Sequence, residues 1–126
     1  MAVIGLGIDL VELTELAATI AARATTLRRV FTKRELAACE TAVNRIEKLA
    51  ARFAAKEAAF KAAGTGWGKG VDWHDAELVA KRGAAPTLVA RGGLAKQMKK
   101  LGGTRFLVSF SHSVSYATAI VMLLDD

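Results

Sequence analysis

Two charged residues one helical turn apart are the first sign of chemistry in this chain. In Arg52-Phe53-Ala54-Ala55-Lys56-Glu57-Ala58-Ala59-Phe60-Lys61-Ala62-Ala63-Gly64-Thr65-Gly66, Glu57 and Lys61 are spaced i, i+4 and share a face if the segment is helical. A carboxylate and an ammonium pointing together beside a glycine-rich bend suit a metal-bound phosphate. The carboxylate takes the hard cation, and the lysine neutralises phosphate oxygens as a point charge. The same spacing is also that of an ordinary surface ion pair, worth about 0.2–0.5 kcal/mol. Lys56 is turned away from Lys61 by about 500° of helix rotation. Asp9 ends an apolar run, where a buried carboxylate needs a partner or a cation. Asp9-Leu10-Val11-Glu12 also has the spacing of a helix N-cap with Glu at the third position. His112, in Ser109-Phe110-Ser111-His112-Ser113, can donate to phosphate or ribose, or serve only as a structural residue at a strand end. His74 reads as a loop residue.

Other motifs carry less. Gly5-Leu6-Gly7 has Leu10 where a dinucleotide fingerprint needs its third glycine. Gly68-Lys69 resembles the end of a P-loop, but Ala63 and Gly70 occupy positions that motif reserves for Gly and for Ser or Thr, and the loop follows a helix instead of preceding one. Lys96, Lys99 and Lys100 form a basic cluster whose ordinary meaning is a solvated helix face. A nucleic-acid-binding module is the alternative reading for so basic a chain, with 18 Lys+Arg against 12 Asp+Glu. The aromatics, however, do not interleave with the basic residues as a stacking platform requires. Cys39 is the only cysteine, which excludes an internal disulfide or a Cys-based zinc cluster and suits a reducing, cytoplasmic setting. The opening Met1-Ala2-Val3-Ile4 lacks a basic n-region, and Asp9 and Glu12 interrupt the early apolar run, so no signal peptide is expected. The apolar run from Tyr116 to Leu124 is too short to span a bilayer.

The elements that must position these residues follow from pattern. With 126 residues, 52% of them apolar, the chain is expected to form one domain over residues 1–126. Val3 to Ile8 reads as a strand and Leu10 or Val11 to about Arg23 as a helix. Thr32-x-x-Glu35 has capping-box spacing and starts a second helix. A long helix is expected from about Arg45 to Ala63, rich in alanine and free of Gly and Pro, with Gly64 at its C-terminal cap and a glycine-rich loop to Gly70. Ala76 to Ala80 and Thr87 to Ala90 read as short strands around a turn at Gly83 to Pro86. Leu94 to Leu101 is helical in composition. Phe106 to Ser111 and Ala117 to Leu124 should form an antiparallel pair. The fold class is α+β, a small antiparallel sheet packed against helices.

Five blocks, in order along nearly the whole chain, resemble the holo-acyl-carrier-protein synthases of the 4'-phosphopantetheinyl transferase superfamily. They are Gly7-Ile8-Asp9-Leu10-Val11-Glu12, Phe31-Thr32-x-x-Glu35, Arg52 through Gly66, Asp75-Ala76-Glu77-Leu78 with Pro86, and Ser109-Phe110-Ser111-His112 with Tyr116-Ala117. The resemblance implies the family's fold and its reaction. A serine of apo acyl carrier protein attacks the pantetheine-bearing phosphorus of coenzyme A, and adenosine 3',5'-bisphosphate leaves, for fatty acid biosynthesis. It also implies that Asp9 and Glu57 hold Mg2+, that Lys61 stabilises phosphate charge, and that Arg52, Gly64, Thr65, Pro86, Ser111 and His112 line the coenzyme site. A homotrimer with active sites between subunits is implied too, with neither nucleic acid nor membrane as partner. The chain departs from the pattern in two places. Thr14-Glu15 stands where the family usually has a basic residue that grips the acidic carrier, leaving Arg23, Arg28 and Arg29 as substitutes. Ala84 stands where the family favours glycine.

Overall fold

A computed structural model of the chain describes residues 1–68 and 70–126. Lys69, the lysine of the Gly68-Lys69 pair, lies outside them. The elements run β1 (Val3–Glu12), α1 (Leu13–Ala22), α2 (Thr26–Val30), α3 (Lys33–Cys39), α4 (Arg45–Ala62), a 3-10 turn (Trp73–Asp75), β2 (Ala76–Val79), β3 (Thr87–Ala90), α5 (Gly92–Lys100), β4 (Arg105–His112) and β5 (Tyr116–Leu124). The strands form two antiparallel sheets, one of three strands in the order β1-β5-β4 and one pairing β2 with β3. The α+β expectation holds, with the strands divided between two sheets.

The first strand is longer than its sequence suggests. It runs through Asp9 to Glu12, with Asp9 opposite Ala119 and Val11 opposite Ala117 on β5. Asp9 therefore caps no helix. The N-cap of α1 is Glu12, which makes no side-chain capping bond. The local capping pattern loses to a ladder whose partner lies more than a hundred residues away in sequence.

Alternation divides the three-stranded sheet into two faces. Gly5, Gly7, Asp9 and Val11 of β1 share the inner face with Ala117, Ala119, Val121 and Leu123 of β5, and those four β5 residues are buried. Helix α4 crosses this face. It can come close because its contact surface is alanine and the strand offers glycine. A Cβ on Gly5 would overlap the carbonyl oxygen of Ala62, and one on Gly7 that of Ala58. The pair that fails as a nucleotide fingerprint is thus where strand and helix backbones touch.

On its other side α4 carries a fully buried ion pair. Lys56 Nζ lies 2.7 Å from Glu35 Oε1, both side chains being inaccessible to solvent, and it also donates to the carbonyl of Ala76. The other Glu35 oxygen accepts from the Leu78 N–H at 3.0 Å. Glu35 completes the expected capping box as well, with Thr32 as N-cap of α3. One carboxylate thereby ties α3, α4 and β2 together. Burial pulls the Lys56 ammonium below its usual pKa, and Glu35 opposes that shift. Cys39, also buried, has its thiol pushed up by burial, which leaves it unreactive.

Candidate active site

Asp9 is the inward-facing β1 residue that follows Gly7, so the close approach of α4 brings it against Glu57 and Lys61. Lys61 Nζ lies 2.9 Å from Asp9 Oδ1 and 3.0 Å from the carbonyl oxygen of Ile8. The i, i+4 partner of Lys61 is not the one it takes. Among the described residues its ion pair is with Asp9 across the helix–strand contact. Two of its three N–H donors are used there, while the side chain remains about half exposed and free to meet an anion.

Glu57 completes the group. Its carboxyl is pushed up to about 7, first by burial, then by the hydrogen bond that its protonated form donates to Asp9 and by repulsion from that carboxylate, with Lys61 opposing. Two carboxyls held this close favour a proton on one of them, the position a cation takes when it binds. Among the described residues no cluster of three His, Cys, Asp or Glu exists. That is too few ligands for a structural zinc site. It does suit magnesium, which commonly takes one or two carboxylates and fills its shell with water and phosphate oxygens.

Helix α4 ends one residue beyond Lys61, at Ala62, in a Schellman closure. Gly64 adopts φ 74°, its N–H donates to Lys61 O, and the Thr65 N–H donates to Phe60 O. The Thr65 hydroxyl is buried and returns to Phe60 O at 3.3 Å, so it serves the helix end. The loop that follows packs Trp67 on Trp73, rings stacked at 4.5 Å, and both lean on Phe60. Glu57 sits between two cavities. One of about 210 Å³ is walled by Phe60, Lys61, Gly66 and the two tryptophans. Another of about 330 Å³ is walled by Asp9, Leu16, Val30, Phe31, Phe53 and Trp73, with Glu12 and Glu15 alongside. These aromatic walls are absent from the motif reading. Their only sequence signal is two tryptophans around a glycine-rich loop, and pairing them needs the fold.

The remaining expected residues do not join the group within one chain. Arg52 is on α4 but turned away from Glu57, with one N–H 3.3 Å from Lys48 O; its buried Nε has no hydrogen-bond partner. Ser111 and His112 are neighbours on β4 and so point to opposite faces. His112 pairs with Ala117, itself opposite Val11, which leaves two strand spacings, about 10 Å, across the sheet to β1. Pro86 lies in the turn before β3, on the other sheet.

A family model described as the 4'-phosphopantetheinyl transferase superfamily matches residues 5–121. The chain is 44% identical, over 98% of its length and 99% of the relative's, to the holo-[acyl-carrier-protein] synthase of Koribacter versatilis (strain Ellin345). Among solved structures, the holo-[acyl-carrier-protein] synthase of Neisseria meningitidis superposes with a TM-score of 0.88 at 27% identity, covering 98% of this chain and 99% of that one. The Bacillus anthracis holo-(acyl-carrier-protein) synthase, in complex with CoA (3',5'-ADP), does so with a TM-score of 0.78 at 31% identity, covering 96% of each chain. The chain therefore belongs to the 4'-phosphopantetheinyl transferase superfamily, within its holo-[acyl-carrier-protein] synthase family. The alternative of a nucleic-acid-binding module finds no support in these relationships.

Proposed function

We propose that this chain transfers the 4'-phosphopantetheine group of coenzyme A to a serine of an apo acyl carrier protein, in the cytoplasm and in the service of fatty acid biosynthesis. The observation that carries the reading is the meeting of Asp9, Glu57 and Lys61 in a member of this family. The serine oxygen attacks the pantetheine-bearing phosphorus as its proton passes to solvent, the pyrophosphate P–O bond breaks, and adenosine 3',5'-bisphosphate leaves with the electron pair. Such transfers are catalysed mainly by positioning and charge neutralisation. Asp9 and Glu57 would hold Mg2+, which when bound supplies positive charge to the pyrophosphate oxygens. Lys61 is fixed by Asp9 and the Ile8 carbonyl and turns its remaining donor to the phosphate. Trp67, Trp73 and Phe53 wall the cavities beside Glu57 and limit the access of water.

The site is built between subunits. Two observations support this. Pro86, Ser111 and His112 lie apart from Asp9 in one chain, and Arg52 keeps a buried Nε without a partner. The outer face of the three-stranded sheet is also apolar and open. Leu6, Ile8 and Leu10 of β1 are each more than half exposed, and Ile120 and Leu107 continue the patch across β5 and β4. A contiguous patch of this kind marks an interaction surface. A homotrimer closed through it would bring Pro86, Ser111 and His112 of one subunit to the Asp9–Glu57 pair of the next, with Gly64, Thr65 and Arg52 at the coenzyme's edge. Among the described residues no helix is long and apolar enough to cross a membrane.

The test is incubation with magnesium, coenzyme A and an apo acyl carrier protein, followed by intact mass. The expected result is a carrier heavier by one phosphopantetheine group, dependent on magnesium. An unchanged carrier mass with a folded protein would refute the reading.

A further inference from the structure

Helix α2 cannot fix its own position. It is five residues long, Thr26–Val30, and its N-cap residue Thr25 makes no side-chain capping bond. So short a helix is not stable by itself. Yet it is a wall of the candidate active site, since Thr26 and Val30 line the cavity of about 330 Å³ that holds Asp9 and Glu57. We propose that His74 is a positioning residue for the transfer reaction. Its hydrogen bond to the Arg28 carbonyl holds α2 against Trp73 and so sets the width of that cavity. The inference rests on the transferase function above.

The bond meets a need that the chain creates. The last carbonyls of a helix have no donor within it. If α2 continued, Arg28 O would accept from the Thr32 N–H. That N–H instead donates to Glu35 Oε1 at 2.9 Å, in the capping box that starts α3. His74 supplies the missing donor, with Nε2 2.7 Å from Arg28 O. A carbonyl oxygen only accepts, so Nε2 carries the proton. Among the described residues this is the only side-chain hydrogen bond to the backbone of α2.

The other end of the link is fixed. His74 reads from sequence as a loop residue, but it lies in the 3-10 turn Trp73–Asp75. The Asp72 N–H donates to Asp75 Oδ2 at 3.1 Å, and the Asp75 N–H returns to Asp72 O at 2.9 Å. Asp75 O accepts from the N–H of Arg91, the N-cap of α5, at 2.8 Å. The turn is therefore held from within and by α5. Beside His74, Trp73 has its ring centre 5.2 Å from that of Phe53 and 5.7 Å from that of Phe60, both on α4. On its other side Trp73 faces α2 across a cavity of about 150 Å³ lined by Thr26, Arg29 and Val30. A contact left unfilled does not fix a separation by packing. The separation of α2 from Trp73 is left to the His74 bond, and Trp73 walls both cavities beside Glu57.

The test compares His74→Ala with His74→Gln, at a temperature well below the melting point of each. His74 is exposed, so both variants should fold, and circular dichroism checks this. Trp67 and Trp73 are the only tryptophans of the chain, so intrinsic fluorescence reads this wall directly. His74→Ala is expected to raise the acrylamide quenching constant by about 1.5-fold or more, as the α2 side of Trp73 opens. It is expected to lower kcat by about tenfold with the KM for coenzyme A within about threefold, as lost positioning does. His74→Gln keeps an N–H donor at similar reach and should return both kcat and quenching to within about twofold of the native values. Quenching needs no transfer, so an inactive native chain would defeat the transferase reading while the His74 link is still tested. Unchanged quenching in His74→Ala, native kcat despite altered quenching, or equal losses in the Ala and Gln variants would each overturn the proposal.

Discussion

At the scale of single residues, the two lysines of α4 divide between structure and chemistry. Lys61 is half exposed and aimed across the β1 contact at Asp9; Lys56 is sealed in the core against Glu35. Lys61→Ala is expected to leave the melting temperature nearly unchanged and to lower kcat by about 100-fold, in line with loss of an electrostatic group at a transferring phosphate. Lys56→Ala leaves Glu35 buried and unpaired and is expected to cost about 3–5 kcal/mol of stability. Thermal melts run beside steady-state kinetics separate the two, and equal losses of activity at equal stability would remove Lys61 from the phosphate. Glu57 supplies a second residue-scale test. Its carboxyl is raised from 4.5 to about 7 in the fold, so the folded state resists a deprotonation that the unfolded chain undergoes easily. Below pH 4.5 the group is neutral in both states and contributes nothing; stability falls as pH rises from there to about 7 and stays lower above it. Glu57→Gln removes that loss. Without added divalent cation, it is expected to stabilise the protein by about 1 kcal/mol at about pH 8, a figure reduced for solvent screening, and by nothing at about pH 4. An equal gain at both pH values would show that the carboxylate is not under this strain.

At the scale of elements, the site depends on how near α4 comes to β1, and the glycines set that distance. Gly7→Ala would drive a methyl into the Ala58 carbonyl, so the helix must move off the strand. Overpacking of this kind costs about 1–3 kcal/mol, and here it also pulls Glu57 and Lys61 away from Asp9. The expected outcome is a folded, less stable protein whose transfer rate falls far more than its stability, measured by chemical denaturation beside kinetics. Full activity in Gly7→Ala would mean that the close approach is dispensable. This contact also shows where sequence stops being legible. Thr32 and Glu35 read correctly as a capping box because that motif closes within one turn, and Gly64 reads correctly as a helix stop for the same reason. The end of β1 misreads as a helix start because its ladder partner, β5, is at the other end of the chain. Gly5 and Gly7 are visible as glycines, but their role needs the alanines of α4 laid against them. Asp9, Glu57 and Lys61 were individually legible as candidates, Glu57 and Lys61 as a pair. That Lys61 chooses Asp9 over Glu57 is a tertiary fact.

At the scale of the whole molecule, the open sheet face and the distance of Pro86, Ser111 and His112 from Asp9 underlie the proposal that neighbouring chains complete each other's sites. Closed assemblies allow a sharper test of this than size alone, because defects on different subunits complement. Glu57→Ala removes a carboxylate from the acid pair and His112→Ala removes a side chain about 10 Å across the sheet from β1, so each variant alone is expected to be nearly inactive. If the two residues act on one coenzyme from different chains, mixed oligomers contain sites with Glu57 from one subunit and His112 from its neighbour. Random mixing of equal amounts, by refolding the two together, makes about one site in four intact. The mixture should therefore recover about a quarter of the native rate per site, with light scattering confirming a trimer before and after mixing. A second arm adds Ile8→Glu, a charge on the exposed apolar face that leaves Asp9, Glu57 and Lys61 in place. Carried by both chains, it should prevent assembly and abolish the recovery. No recovery from a well-mixed trimer would place Glu57 and His112 in a site made by one chain, and a fully active monomer would remove the need for a partner altogether.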